Sequence, residues 1–128
     1  MKYLSEYMGE KQTLAFNRAD AFFAFSDKQF EEAKKEGIKY VSLGAGLICN
    51  STKAKTLTQE LDTIYTEAIQ EDVQDNGMRS VIDRELANHE AYYTRDIEST
   101  VEALKDYPCT IEEILKVFRE EQPNNVGL

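Results

Sequence analysis

The chain has little from which to build a metal centre or an activated nucleophile. Its 128 residues include one histidine, His89, two cysteines, two prolines and no tryptophan. Zinc sites draw on several His or Cys ligands at close spacing. Cys49 and Cys109 stand far apart with no paired spacing, so no metal and no cofactor is expected. Two isolated cysteines point to a reduced, intracellular protein. No apolar run approaches the ~20 residues of a membrane span, and Met1 to Glu6 offers none for a signal peptide. The expected location is therefore the cytosol, with no membrane partner. Gly44-x-Gly46 lacks the third glycine of a dinucleotide fingerprint, and no phosphate loop is present. Basic residues are scarce in the second half. Residues 1–55 hold seven acids and nine bases, whereas residues 56–128 hold seventeen acids and six bases, for a net charge of −9 overall. From Glu60 to Asp75 there are six acids and no base. This balance disfavours direct nucleic-acid binding and favours a partner with a basic protein surface.

What remains is an ordinary globular composition, 41% apolar and 30% charged, long enough for a core without staples. No repeat or linker divides it, so one domain is expected over 1–128, with residues 122–128 as a frayed tail. Residues 3–16 read as a helix with Leu4, Tyr7, Met8 and Leu14 on one face. The apolar run 21–25 reads as a strand buried on both faces. Ser26 and Gln29 form a capping box with a Phe25–Phe30 staple, starting a helix that should end at Gly37. Strands are expected near 38–43 and 46–50, joined by a Gly44-Ala45-Gly46 turn that needs positive φ. Four helices should follow. Leu57, Leu61, Ile64, Tyr65 and Ala68 stripe the first, over 53–75. The second spans 78–93, the third carries Ile97, Val101 and Leu104, and the last begins at a Thr110–Glu113 box stapled by Cys109 and Ile114. Its buried face should carry Ile111, Ile114, Leu115 and Phe118. The class is α+β, a small three-stranded sheet packed by helices, with a helical C-terminal half.

Three constellations could carry function. Glu60, Glu67 and Glu71 share a shoulder of the acidic helix, and Asp72 and Asp75 load its C-terminal end, where the helix dipole disfavours negative charge. These five form the expected protein-binding surface. Glu85 and His89 share a helix face at i, i+4, a spacing that suits a general base with its orienter. Beside them, Tyr92, Tyr93 and Arg95 combine apolar area with polar tips at a helix corner. Glu85, His89, Tyr92, Tyr93 and Arg95 are therefore the alternative ligand site.

Residues 21–32, 40–46 (Tyr-Val-Ser-Leu-Gly-Ala-Gly) and 84–94 (Arg-Glu-Leu-Ala-Asn-His-Glu-Ala-Tyr-Tyr-Thr) resemble a family of small uncharacterised proteins from tailed bacteriophages and prophages of gut bacteria. The resemblance transfers no catalytic or binding residue. It implies expression in the bacterial host cytoplasm and action on a host component. The leading expectation is a non-enzymatic, phage-encoded protein that binds and modulates a host protein through its acidic half. A protein sequestering a nucleotide-like molecule near His89 is the alternative, and a small hydrolase using Glu85 and His89 the third. A homo-oligomer is compatible with any of them.

Overall fold

The structure, a computed structural model, describes residues 1–126. It is α+β: seven helices and one three-stranded antiparallel sheet of order β1-β3-β2. Two compact units, Lys2–Ala68 and Ile69 onward, divide the chain. The division falls inside a helix, so no linker composition marks it in the sequence.

The first unit contains α1 (Leu4–Arg18), β1 (Phe22–Phe23), α2 (Asp27–Ala33), β2 (Tyr40–Gly44), β3 (Leu47–Asn50) and the start of α3 (Ala54–Asn76). All three strands fall where the apolar runs place them. Register follows from the pairs Phe22–Ile48, Phe23–Leu47 and Val41–Cys49. Directly opposed residues share a face, so the sheet has two distinct sides. One side carries Cys49, which is buried with Ala15 and Ala19 of α1 and Leu57 and Ile64 of α3. The other carries Phe22 and Tyr40, whose rings meet Phe30 of α2 at 6.1 and 5.7 Å. A bulge interrupts the β2–β3 ladder between Ser42 and Gly44, leaving Leu43 as the extra residue. Gly44, Ala45 and Gly46 all take positive φ, as the turn demands. Gly46 is also blocked: a Cβ there would lie 2.3 Å from the Phe25 ring.

Several local expectations are corrected. The 21–25 run is an edge strand of two residues, not one buried on both faces. Phe23 is half exposed and Phe25 is 72% exposed, stacked on each other at 6.3 Å. Because Phe25 lies over Phe23 and Gly46 while Phe30 joins Phe22 and Tyr40, the Phe25–Phe30 staple does not form. The Ser26 cap does: Gln29 N–H donates to Ser26 Oγ at 3.2 Å, while Gln29 Oε1 accepts from Phe25 N–H at 2.7 Å, one residue before the return bond of a capping box. The helix ends at Ala33 rather than near Gly37. Lys34 turns extended, and Lys35 N–H donates to the Tyr40 hydroxyl at 2.9 Å. In α1, Leu14 is 52% exposed, and Ala15, one position on, takes its place in the core.

The second unit holds the rest of α3, then α4 (Met78–Asn88), α5 (Ala91–Thr94), α6 (Glu98–Ala103) and α7 (Ile111–Val126). Five helices thus stand where four were expected, because 78–93 is broken at Glu90, which adopts the left-handed conformation with φ 58. No strand lies between 54 and 120 among the described residues. Val81, Ile82, Leu86, Ala91, Tyr92, Leu104, Tyr107, Ile114 and Val117 are buried in this unit. Ile111 is 55% exposed, and Val117 supplies the buried position instead. The expected tail is helical through residue 126 although Pro123 removes an N–H donor. Its approach is held by Arg79, which pairs with Glu120 at 2.8 Å and Glu121 at 2.9 Å. Gly127 and Leu128 of that expectation lie outside the described residues.

The Thr110–Glu113 box is complete. Glu113 N–H donates to Thr110 Oγ1 at 3.1 Å, and Thr110 N–H donates back to Glu113 Oε1 at 3.3 Å. Thr110→Ala and Ser26→Ala should each cost about 1 kcal/mol. Thermal unfolding checks this, and midpoints unchanged in both variants would show that the side-chain caps contribute nothing.

Candidate functional site: the acidic helix and the α4–α6 corner

Helix α3 does not present its acids as one open surface. In the first unit Arg18 Nη2 lies 2.8 Å from Glu60 Oε2, and Lys11 Nζ lies 3.9 Å from Glu67 Oε2. Both carboxylates are thus matched by cations from α1, in solvent-exposed pairs of small energetic weight. In the second unit Glu71 and Asp75 are exposed, but Asp72 is not a surface residue at all. Its relative exposure is 0%.

Asp72 is the centre of a buried polar network. Arg84 forks onto it, with Nη1 and Nη2 each 2.8 Å from one carboxylate oxygen. The Tyr107 hydroxyl donates to Oδ2 at 2.5 Å, and Asn76 Nδ2 donates to Oδ1 at 2.9 Å. Burial pushes the Asp72 carboxyl up, but the bonds from Arg84, Tyr107 and Asn76 outweigh it and hold the pKa below its ordinary value. Burial and the bond to Asp72 push the Tyr107 hydroxyl up, which keeps it a neutral donor. Among the described residues no buried side-chain nitrogen or oxygen lacks a partner. A bidentate buried pair with every lone pair answered is the form in which buried charge is tolerated.

Glu85 extends this network rather than standing free for catalysis. Its Oε1 accepts from Arg84 Nε at 3.0 Å, and its Oε2 lies 3.5 Å from His89 Nε2. The i, i+4 pairing with His89 is therefore present, with one carboxylate oxygen committed to Arg84. No group of three or more His, Cys, Asp or Glu side chains is placed to hold a metal ion among the described residues. Both cysteines are free, and burial raises both thiols, which opposes nucleophilic use.

The five residues of the expected ligand site do not converge. Tyr92 turns inward: its ring stacks on Phe118 at 5.7 Å, and its hydroxyl donates to Asp83 at 2.6 Å. Tyr93, the next residue, is 85% exposed. Arg95 is exposed and ends α5 in the left-handed conformation, φ 65. The corner instead offers two open depressions. One, of about 420 Å³, is lined by Ala87, Glu90, Tyr92 and Tyr93. The other, of about 680 Å³, is lined by His89, Asp96, Glu98, Ser99, Val101, Glu102 and Ala103. Asp96 Oδ1 accepts from Glu98 N–H at 2.9 Å, which fixes the start of α6.

A family model matches residues 4–122. The chain belongs to the family of unknown function DUF7659. No curated protein and no solved structure matches it. Membership of a family without an assigned activity agrees with the uncharacterised status, and with that alone, of the family that residues 21–26, 29–32, 40–46 and 84–94 resemble.

Sequence reasoning missed Arg84 and Tyr107 as network members, and Glu98 and Glu102 as surface carboxylates. A signal for the network was present. Asp72 follows Ala68 by four residues, so it continues the apolar stripe of Leu57, Leu61, Ile64 and Ala68 and was destined for the interior. An acid on such a stripe requires a buried cation, and Arg84, three residues after Val81, is the one available on the next helix face. The depression over α6 left no comparable signal, because its lining comes from a break at Glu90 that no glycine announces.

Proposed function

We propose that the chain is a non-enzymatic binding protein, phage- or prophage-encoded and acting in the bacterial host cytoplasm, whose acidic second unit engages a basic surface of a host protein. The charge asymmetry supports placing recognition there. Residues 69–128 hold fourteen acids and six bases, against ten and nine in residues 2–68. The observation that carries the reading is the 680 Å³ depression with Asp96, Glu98 and Glu102 in its lining. Of these, Glu102 pairs with Lys105 at 2.8 Å. The surface is thus moved from α3, where Asp72 is buried and Glu60 and Glu67 pair with cations of α1, to α6, where Glu98 enters no ion pair among the described residues and Glu102 pairs locally with the exposed Lys105. The buried commitment of Glu85 to Arg84 weighs against the hydrolase, and the carboxylates around His89 weigh against a phosphate-bearing ligand there.

The test is affinity capture from a bacterial lysate with stepwise salt elution. Glu98→Gln with Glu102→Gln should remove the salt-eluted partner, because Gln keeps shape and helix propensity while removing charge. The triple variant Glu60→Gln, Glu67→Gln, Glu71→Gln should capture it normally. The reverse pattern would return the surface to α3, and full capture by both variants would show that the acids are kept for solubility.

A further inference from the structure

We propose that the depression lined by Ala87, Glu90, Tyr92 and Tyr93 receives a single cationic side chain, arginine or lysine, from the basic partner, with the Tyr93 ring as its wall and the Glu90 carboxylate as its counter-ion. This deepens the reading above and rests on it.

Tyr93 is displayed on an ordered backbone. It is 85% exposed, but the turn that carries it is closed on both sides. Tyr93 and Thr94 N–H donate to Glu90 C=O at 3.1 and 2.9 Å, and Arg95 N–H donates to Ala91 C=O at 2.8 Å. Residues 90 and 95, both left-handed without being glycine, bracket that single turn. Its inner side is anchored by Tyr92, held between Phe118 and Asp83. An aromatic side chain on a pre-ordered turn loses little freedom on binding, which is the property of an interface anchor.

The chemistry of the depression selects its occupant. Ala87 and the two tyrosines give an apolar, π-bearing wall, and Glu90 adds one negative charge. Among the described residues the Glu90 carboxylate enters no ion pair, and the Tyr93 hydroxyl has no side-chain partner. Arg95, the nearest cation in sequence, is not part of the lining. An anion would meet Glu90 head on, and a purely apolar group would desolvate that carboxylate without pairing it. A guanidinium or ammonium group satisfies both features, since it is attracted to the ring face and to the carboxylate. A volume of about 420 Å³ leaves room for one such side chain with its stem. Glu98, in the other depression of the corner, is available to a further cation of the same partner.

The full chain is titrated calorimetrically at low salt with an N-acetylated, C-amidated hexa-arginine peptide. Binding is expected, and Tyr93→Ala should weaken it by about tenfold, the scale of a cation–π contact. Tyr93→Phe should retain it within about twofold, because the ring and not the hydroxyl supplies the attraction. Glu90→Gln should weaken binding and flatten its salt dependence. Tyr93 and Glu90 are exposed, so the fold is unaffected, which circular dichroism checks. Wild-type affinity in Tyr93→Ala, with loss in the Glu98→Gln, Glu102→Gln variant, would overturn the cation site and leave the acidic surface standing. No binding of the peptide by the wild-type chain would overturn both.

Discussion

Asp72→Ala should destabilise the second unit by up to about 3–5 kcal/mol, because it removes the buried acceptor of both Arg84 Nη groups and of the Tyr107 hydroxyl and leaves Glu85 as the remaining counter-charge. The sign matters more than the size. A solvated acid at the C-terminal end of α3 would oppose the helix dipole, and removing it would raise stability by about 0.3–1 kcal/mol. Denaturant unfolding therefore separates the two environments by direction alone. Joining Asp72→Ala to Arg84→Met should recover only part of the loss, since both members of the buried pair become apolar but Glu85 and Tyr107 lose their partners. The acid response follows the same geometry. The folded pKa of Asp72 lies below its ordinary 3.8, with burial opposed and outweighed by Arg84, Tyr107 and Asn76. Its contribution is thus complete above about pH 4 and is lost as pH falls through the folded value. Asp72→Asn should lack that component of acid unfolding. A wild-type stability flat between pH 5 and pH 2 would contradict it.

Leu57→Ala should cost about 2–5 kcal/mol. Leu57 is 1% exposed and packs with Ala15, Ala19, Cys49 and Ile64. Its fully buried neighbours on α1 are the alanines Ala15 and Ala19, which cannot extend to refill the space, and from that helix only the partly buried Met8 and Phe16 border the cluster. Leu57 also floors an open depression of about 190 Å³ between Ala15, Ala19, Arg18 and Glu60, so truncation deepens a gap in the packing. Leu14→Ala, by contrast, should stay within about 0.5 kcal/mol, as exposed substitutions usually do. Equal losses in the two variants would place Leu14 in the core.

These two residues also show how far the sequence reaches. Periodicity located α3, β2, β3 and the Thr110 start of α7, because each is fixed by contacts within a few residues. It misassigned Leu14 because helical spacing alone cannot tell a leucine at the rim of a stripe from an alanine at its centre. Ala15 is the one that packs with Cys49 and Leu57, fully buried, while Leu14 lies at the rim. The run 21–25 was apolar throughout, yet only pairing reveals that β1 is an edge strand and that Phe23 and Phe25 stack outside the core. Asp72 was read by charge when its position along the stripe carried the information. The α5 turn was illegible for another reason: Glu90 and Arg95 take a backbone conformation that glycine usually marks, and neither residue type gives notice of it. The candidate surface moved for the same reason, since Tyr93 and the carboxylates of α6 are arranged by that break.

The bulge at Leu43 bears on what happens when many copies meet. An edge strand with open amides and carbonyls is a template for strands from other molecules, and proteins guard such edges with charge, with short length or with irregularity. Tyr40–Gly44 contains no charged residue, and the first unit, close to neutral, gains little from mutual repulsion. β1 is guarded by being two residues long. β2 is guarded by the extra residue, which breaks the even spacing of backbone groups midway along the strand and denies an incoming chain a continuous ladder. In the N-terminal unit the guard on each edge strand is thus backbone geometry, whereas the C-terminal unit carries an excess of negative charge.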